Sequence, residues 1–249
     1  MPLQTVLPQR LYRQIAEQLR TLISNGEFAV GTRLPAERDL ARQLGVSRPS
    51  VREALIAMEV ESWVEVRGGS GVYVLHPLMR TGGTTTPSSH DPGEWGPLEL
   101  MRARELVEGE VAALAARNGR KAQMAAMSSA LAQMQDEAHA GIVPRDGDEA
   151  FHIAVAHACG NEVLRDTVRG YWHARRGTLF ERLGDYFENP ASWSAALVEH
   201  TAVLEAIRSH DPAAARQAMQ SHLKKAYTRY SASWRRANTS NPASNPTTT

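Results

Sequence analysis

The 249-residue sequence contains a single cysteine, Cys159, which excludes an intramolecular disulfide framework and fits a reducing compartment. It has no apolar run long enough to cross a membrane and no charged-then-apolar leader, so a soluble, cytoplasmic protein with no membrane partner is expected. Net charge is also scarce: 28 Lys and Arg against 27 Asp and Glu leave +1. DNA readers usually carry a basic balance, so an argument for DNA binding has to rest on where the arginines sit. Apolar material is plentiful at 42%, and the length suits two ordinary domains, each with its own core.

The most informative stretch is Leu44–Leu55. Gly45 suits the positive φ that ends a helix, Ser47 can cap the first free amides of the next one, and Pro49 falls in that helix's first turn. Val51, Ala54, Leu55 and Met58 then recur at helical spacing as a buried stripe. Arg48 and Arg52, four apart at its edge, suit guanine edges or phosphates in a major groove. The competing reading is an amphipathic helix with solvated arginines.

Leu11, Ile15, Leu19, Leu22 and Ile23 mark an earlier helix that stops at Asn25-Gly26, and Glu37–Leu44 reads as a second with Leu40, Ala41 and Leu44 inward. After the Ser47-capped helix, Trp63–Val66 and Val72–Leu75 alternate as strands joined by the glycine-rich Arg67–Gly71. Three helices and a hairpin are the order of a winged helix-turn-helix, predicted over residues 8–76.

This part resembles the GntR family of bacterial transcription regulators. The likeness runs through Gly31–Ala41, Val46–Leu55 and Gly69–Val74. It implies that Arg38, Arg48 and Arg52 contact the phosphates and major-groove bases of a double-stranded operator, with Ser47 counted beside them. It also implies that Gly71 lets the wing tip approach the minor groove. Ala36 departs from the family, which often has a capping Ser or Thr there.

Residues 77–96 are rich in Gly, Thr, Ser and Pro, as in a linker that permits more than one domain orientation. From 97 to 236 the pattern is helix after helix: Leu98–Asn118, Lys121–Ala140, Asp146–Cys159, one or two within Glu162–Phe187 broken near Gly184, Pro190–His210 and Asp211–Arg236. A mainly α protein follows, with a C-terminal antiparallel bundle of six or seven helices and a disordered tail at 237–249.

In this bundle Asp148 and His152 share a helix face, and His200 and His222 lie in register with the apolar positions of two other helices. Three histidines and a carboxylate converging there suit a first-row transition metal without thiolate ligands. Singly, each histidine more often reads as a satisfied core residue. Arg104 offers a fork for a carboxylate, or an ion pair with Glu105 or Glu108.

The stretch also resembles the FCD-type ligand-binding domain of the FadR subfamily, through Arg104–Glu108, Asp148–His152 with Gly160-Asn161, Glu199-His200 and Ala218–Leu223. The likeness implies that Asp148, His152, His200 and His222 bind a divalent metal, with zinc favoured and nickel, manganese or iron open. Arg104 and Asn161 are placed at the effector. Met58–Arg67, Gly96–Leu100 and the Trp172–Trp193 region look most like regulators of hexuronate catabolism, with lactate-type hydroxy acids as the other effector class.

The mechanism this implies is a homodimeric repressor on a palindromic operator, released by a small sugar acid or organic acid. Two copies are expected because one recognition helix reads too few base pairs. Two other classes remain open at this point: a metal-dependent hydrolase or isomerase, and a scaffold with a structural metal.

Overall fold

A computed structural model describes residues 10–68, 70–76 and 95–231. The described residues fall into two compact units, one running up to Pro97 and the other Leu98–Arg229. Among the described residues the architecture is mainly α, with ten helices and one two-stranded hairpin. Most of the expected linker and all of the expected tail lie outside the described residues.

The first unit is a winged helix-turn-helix. Helix α1 (Leu11–Ser24) buries Tyr12, Ile15, Ala16, Leu19 and Ile23, so its inward face is turned toward Tyr12 and leaves Leu11 47% exposed. Helix α2 (Glu37–Leu44) ends at Gly45, whose φ of 66° and ψ of 29° are the left-handed conformation that glycine adopts without steric cost. Two residues on, Ser47 accepts from the Ser50 amide at 3.3 Å and starts α3 (Arg48–Val60). Val51, Ala54, Leu55 and Met58 are buried, and α3 packs on α1 and α2. Ala36, at the N-cap of α2, supplies no side-chain cap.

Strands β1 (Val64–Arg67) and β2 (Gly71–Val74) pair antiparallel, with Val64 opposite Val74 and Arg67 opposite Gly71. The segment before α2 adds a third edge, because the Leu34 amide donates to Val72 O and the Val74 amide to Thr32 O. Gly71 has φ +122°, a backbone conformation that L side chains rarely adopt, and the Arg33 side chain lies against the space a Cβ would take.

The second unit has seven helices: α4 (Pro97–Asn118), α5 (Lys121–His139), α6 (Arg145–Ala158), α7 (Glu162–Ala174), α8 (Thr178–Phe187), α9 (Pro190–Arg208) and α10 (Pro212–Tyr230). α5 packs against α6 and α9, and α6 against α7. The break inside Glu162–Phe187 falls at Arg175-Arg176-Gly177 rather than near Gly184. Gly177 is extended and serves as the N-cap of α8, whereas Gly184 is helical and leaves room beside it for the Arg145 guanidinium. Gly147 has a packing reason of its own: a Cβ would lie 2.7 Å from the Met134 amide, so α6 meets α5 backbone to backbone.

Candidate metal centre and nucleic-acid interface

Asp148 and His152 project one turn apart from α6, His200 comes from α9 and His222 from α10. All four are buried, and one ligand atom from each lies within 4.8 Å of the others. Asp148 Oδ1, His152 Nε2 and His200 Nε2 have no hydrogen-bond partner. His200 Nε2 and Asp148 Oδ1 approach to 2.9 Å without the alignment of a hydrogen bond. Buried polar atoms are rarely left unmatched, and three gathered at one point fit a shared cation.

The far side of each ring is tied down. His200 Nδ1 lies 2.7 Å from Ala196 O, His222 Nδ1 lies 2.8 Å from Glu199 Oε2, and His152 Nδ1 pairs with Glu108. A nitrogen facing a carbonyl or carboxylate carries the proton, which leaves Nε2 of each ring with its lone pair toward the cluster. Glu108 on α4 and Glu199 on α9 are therefore part of the site, a role behind the rings that the sequence pattern does not assign them.

The electrostatics favour a cation. Burial would raise the Glu108 carboxyl, but the charges of Arg104 and His152 and their hydrogen bonds hold it at about 2. Asp148 is held well below the usual carboxylate range, because the close His152 and His200 imidazoles outweigh its burial. His152 is raised because Glu108 and Asp148 overcome the cost of burial. His222 is pushed well below an ordinary histidine by burial and by the neighbouring imidazoles. Two anionic carboxylates beside imidazole nitrogens suit a divalent transition metal.

Arg104, 1% exposed, is paired with Glu108 at 2.5 Å, lies 3.4 Å from His152 Nδ1 and stacks on the Trp172 ring at 4.5 Å. The Glu108 ion pair weighed for Arg104 is thus present. Arg175, in the α7–α8 break, also stacks on Trp172 at 4.3 Å and reaches Asp148 Oδ2 at 3.3 Å. Trp172 is buried, with its indole Nε1 lacking a partner. Asn161 has a different setting: it is exposed, and its side chain accepts from the Leu164 amide as the cap of α7. Of the other histidines, His76, His139, His157, His173 and His210 are exposed, and His90 lies outside the described residues.

In the first unit, Arg48 and Arg52 come together on one carboxylate. Glu37 Oε1 accepts from Arg48 Nε at 2.9 Å, while Arg52 Nε and Nη2 donate to both Glu37 oxygens at 2.9 and 3.0 Å. Arg38 stands apart from that carboxylate with its side chain 79% exposed, and it pairs with Asp39 at 3.7 Å. Ser47 is spent on capping α3, and Gly71 closes the wing against Arg33.

The description "Bacterial regulatory proteins, gntR family" matches residues 11–74, and the FCD domain matches residues 99–225. The chain belongs to the GntR family. As a GntR regulator it is similar to the Uxu operon transcriptional regulator of Escherichia coli (strain K12), 34% identical over 220 residues that cover 87% of this chain and 85% of the relative. The Exu regulon transcriptional regulator of the same strain is 35% identical over 222 residues, with 87% and 83% covered. Among solved structures, E. coli McbR/YncC shares the fold with a TM-score of 0.50 at 21% identity, covering 90% of this chain and 99% of that one.

These findings make the protein a transcription regulator rather than an enzyme, and they set the hydrolase and isomerase reading aside. The GntR helix-turn-helix implies DNA as partner, and the FCD domain implies a small-molecule effector. Among the described residues no helix is long and apolar enough to cross a membrane.

Proposed function

We propose that this GntR regulator is a homodimeric, cytoplasmic repressor on a palindromic operator. A small sugar acid, with hexuronates favoured, binds beside a divalent metal held by Asp148, His152, His200 and His222 and releases the DNA. The observation that carries this reading is the convergence of three buried, unmatched ligand atoms, with each ring locked from behind. A divalent ion there, zinc foremost with nickel, manganese or iron as alternatives, would supply a Lewis-acidic anchor for a carboxylate. Arg104 and Arg175 add positive charge on the Trp172 side, and the unmatched Trp172 N–H suits a hydroxyl of the acid. The names of the Uxu and Exu relatives support a hexuronate.

The reading is tested in two steps. Elemental analysis of the purified protein should find about one divalent ion per chain, lost in His152→Ala and His222→Ala. Fluorescence polarisation on a duplex selected from a random library by the wild type should then show release by glucuronate or galacturonate more readily than by lactate. Linkage requires the duplex to weaken acid binding by the same factor. Equal acid affinity with and without the duplex would remove the switch, and Arg175→Ala with unchanged acid affinity would remove that arginine from the site.

A further inference from the structure

Glu37 is a carboxylate with its side chain only 6% exposed, yet both of its ion partners reach solvent: Arg48 is 57% and Arg52 26% exposed. It stands at the first position of α2, while both arginines come from α3. Arginines one turn apart repel each other and have many rotamers, so on a bare helix they would serve as mobile positive charges suited to phosphates. Here one buried anion offsets the repulsion and takes the Nε of each guanidinium. For Arg52 the contact is a two-point fork, which fixes the plane of the group and not only its position.

Plane and direction matter most for one kind of DNA contact. A phosphate accepts a guanidinium from many directions, but the O6/N7 edge of guanine needs it in the plane of the base. We propose that Glu37 is a positioning residue that makes Arg48 and Arg52 readers of base edges instead of general phosphate binders. Sequence preference would then depend on a residue that need not touch the DNA. The inference rests on the assignment of α3 to the DNA.

Glu37→Gln keeps the shape and removes the charge; Glu37→Asp keeps the charge and withdraws it by one methylene. The full-length protein is titrated by fluorescence polarisation against two probes, a duplex selected from a random library by the wild type and a scrambled duplex of equal length. Both variants should lower the ratio of selected to scrambled affinity by about 10- to 100-fold. The scrambled duplex should bind as tightly as to wild type, or more tightly to Glu37→Gln, whose arginines have lost their internal anion. Thermal melting should stay at the wild-type midpoint. A variant that keeps the wild-type ratio overturns the inference. So does a parallel loss of both affinities or of the melting transition, since that marks Glu37 as a folding residue. A wild-type protein that selects no duplex would remove the DNA assignment itself, and the inference with it.

Discussion

Each unit of this regulator centres on a glutamate between two cationic or protonatable side chains, but the two arrangements differ in who is buried. Glu37 is inside while Arg48 and Arg52 lead outward; Glu108, Arg104 and His152 are all inside. A carboxylate whose partners reach water can be lost without stranding a charge, whereas one among buried partners cannot. The first arrangement orients side chains for an external partner, and the second holds an internal site together.

The largest effect that would separate them is a truncation. Glu108→Ala leaves Arg104 buried without its anion and should cost about 3–5 kcal/mol in urea denaturation. Glu37→Ala, whose arginines turn to solvent, should cost under about 1 kcal/mol. Equal losses would erase the distinction.

Acid should act on the second unit in the same sense. The folded Glu108 carboxyl lies at about 2 against an ordinary 4.5, so its stabilisation is complete above 4.5 and disappears as pH falls toward 2. That range corresponds to about 3 kcal/mol. His222 is also depressed in the fold, so the unfolded chain takes up a proton that the folded one refuses, and stability declines as pH falls below 6.5. Denaturation midpoints followed from neutral to acid pH should show both limbs, and Glu108→Gln should shrink the lower one to the share of Asp148, which is also held low.

A smaller effect tests the backbone beneath the cluster. Gly147→Ala forces a methyl against the Met134 backbone, next to Asp148 on α6, and should cost about 1–3 kcal/mol in thermal melting. The smallest sits at the two helix starts of the first unit. Ser47→Ala should lose about 1 kcal/mol of cap energy, and Ala36→Ser should gain up to about that much. Chemical denaturation that shows the same sign for both would refute the cap assignments.

Much of this was legible in sequence because the signals are local. Gly45 and Ser47 mark a turn through their own backbone and hydroxyl, and the stripe from Val51 to Met58 is a matter of period. Three of the four candidate ligands are legible because a histidine on an apolar face is conspicuous, and Asp148 because it stands one turn from His152 on α6. What escaped depends on packing. Glu37 and Glu199 are unremarkable helix carboxylates until a partner from another helix arrives, and the sequence offers Glu108 as a partner of Arg104 but not of His152. The α7–α8 break escaped because Gly184 is the more suggestive glycine inside a periodic stretch, whereas Gly177 acts through an extended backbone after two arginines. Missing that break hid Arg175, which otherwise reads as one more residue in the middle of a helix.

The ring locks also differ in reach, and this bears on the order of folding. His200 is held by Ala196, four residues back on its own helix, so its tautomer is set as soon as α9 forms. His222 waits for Glu199, 23 residues away, and His152 for Glu108, 44 residues away on α4. Ligand competence at His200 is therefore a property of one helix, whereas at His222 and His152 it exists only in the packed unit. Unfolding the unit would release a bound ion by freeing two of its three imidazoles at once.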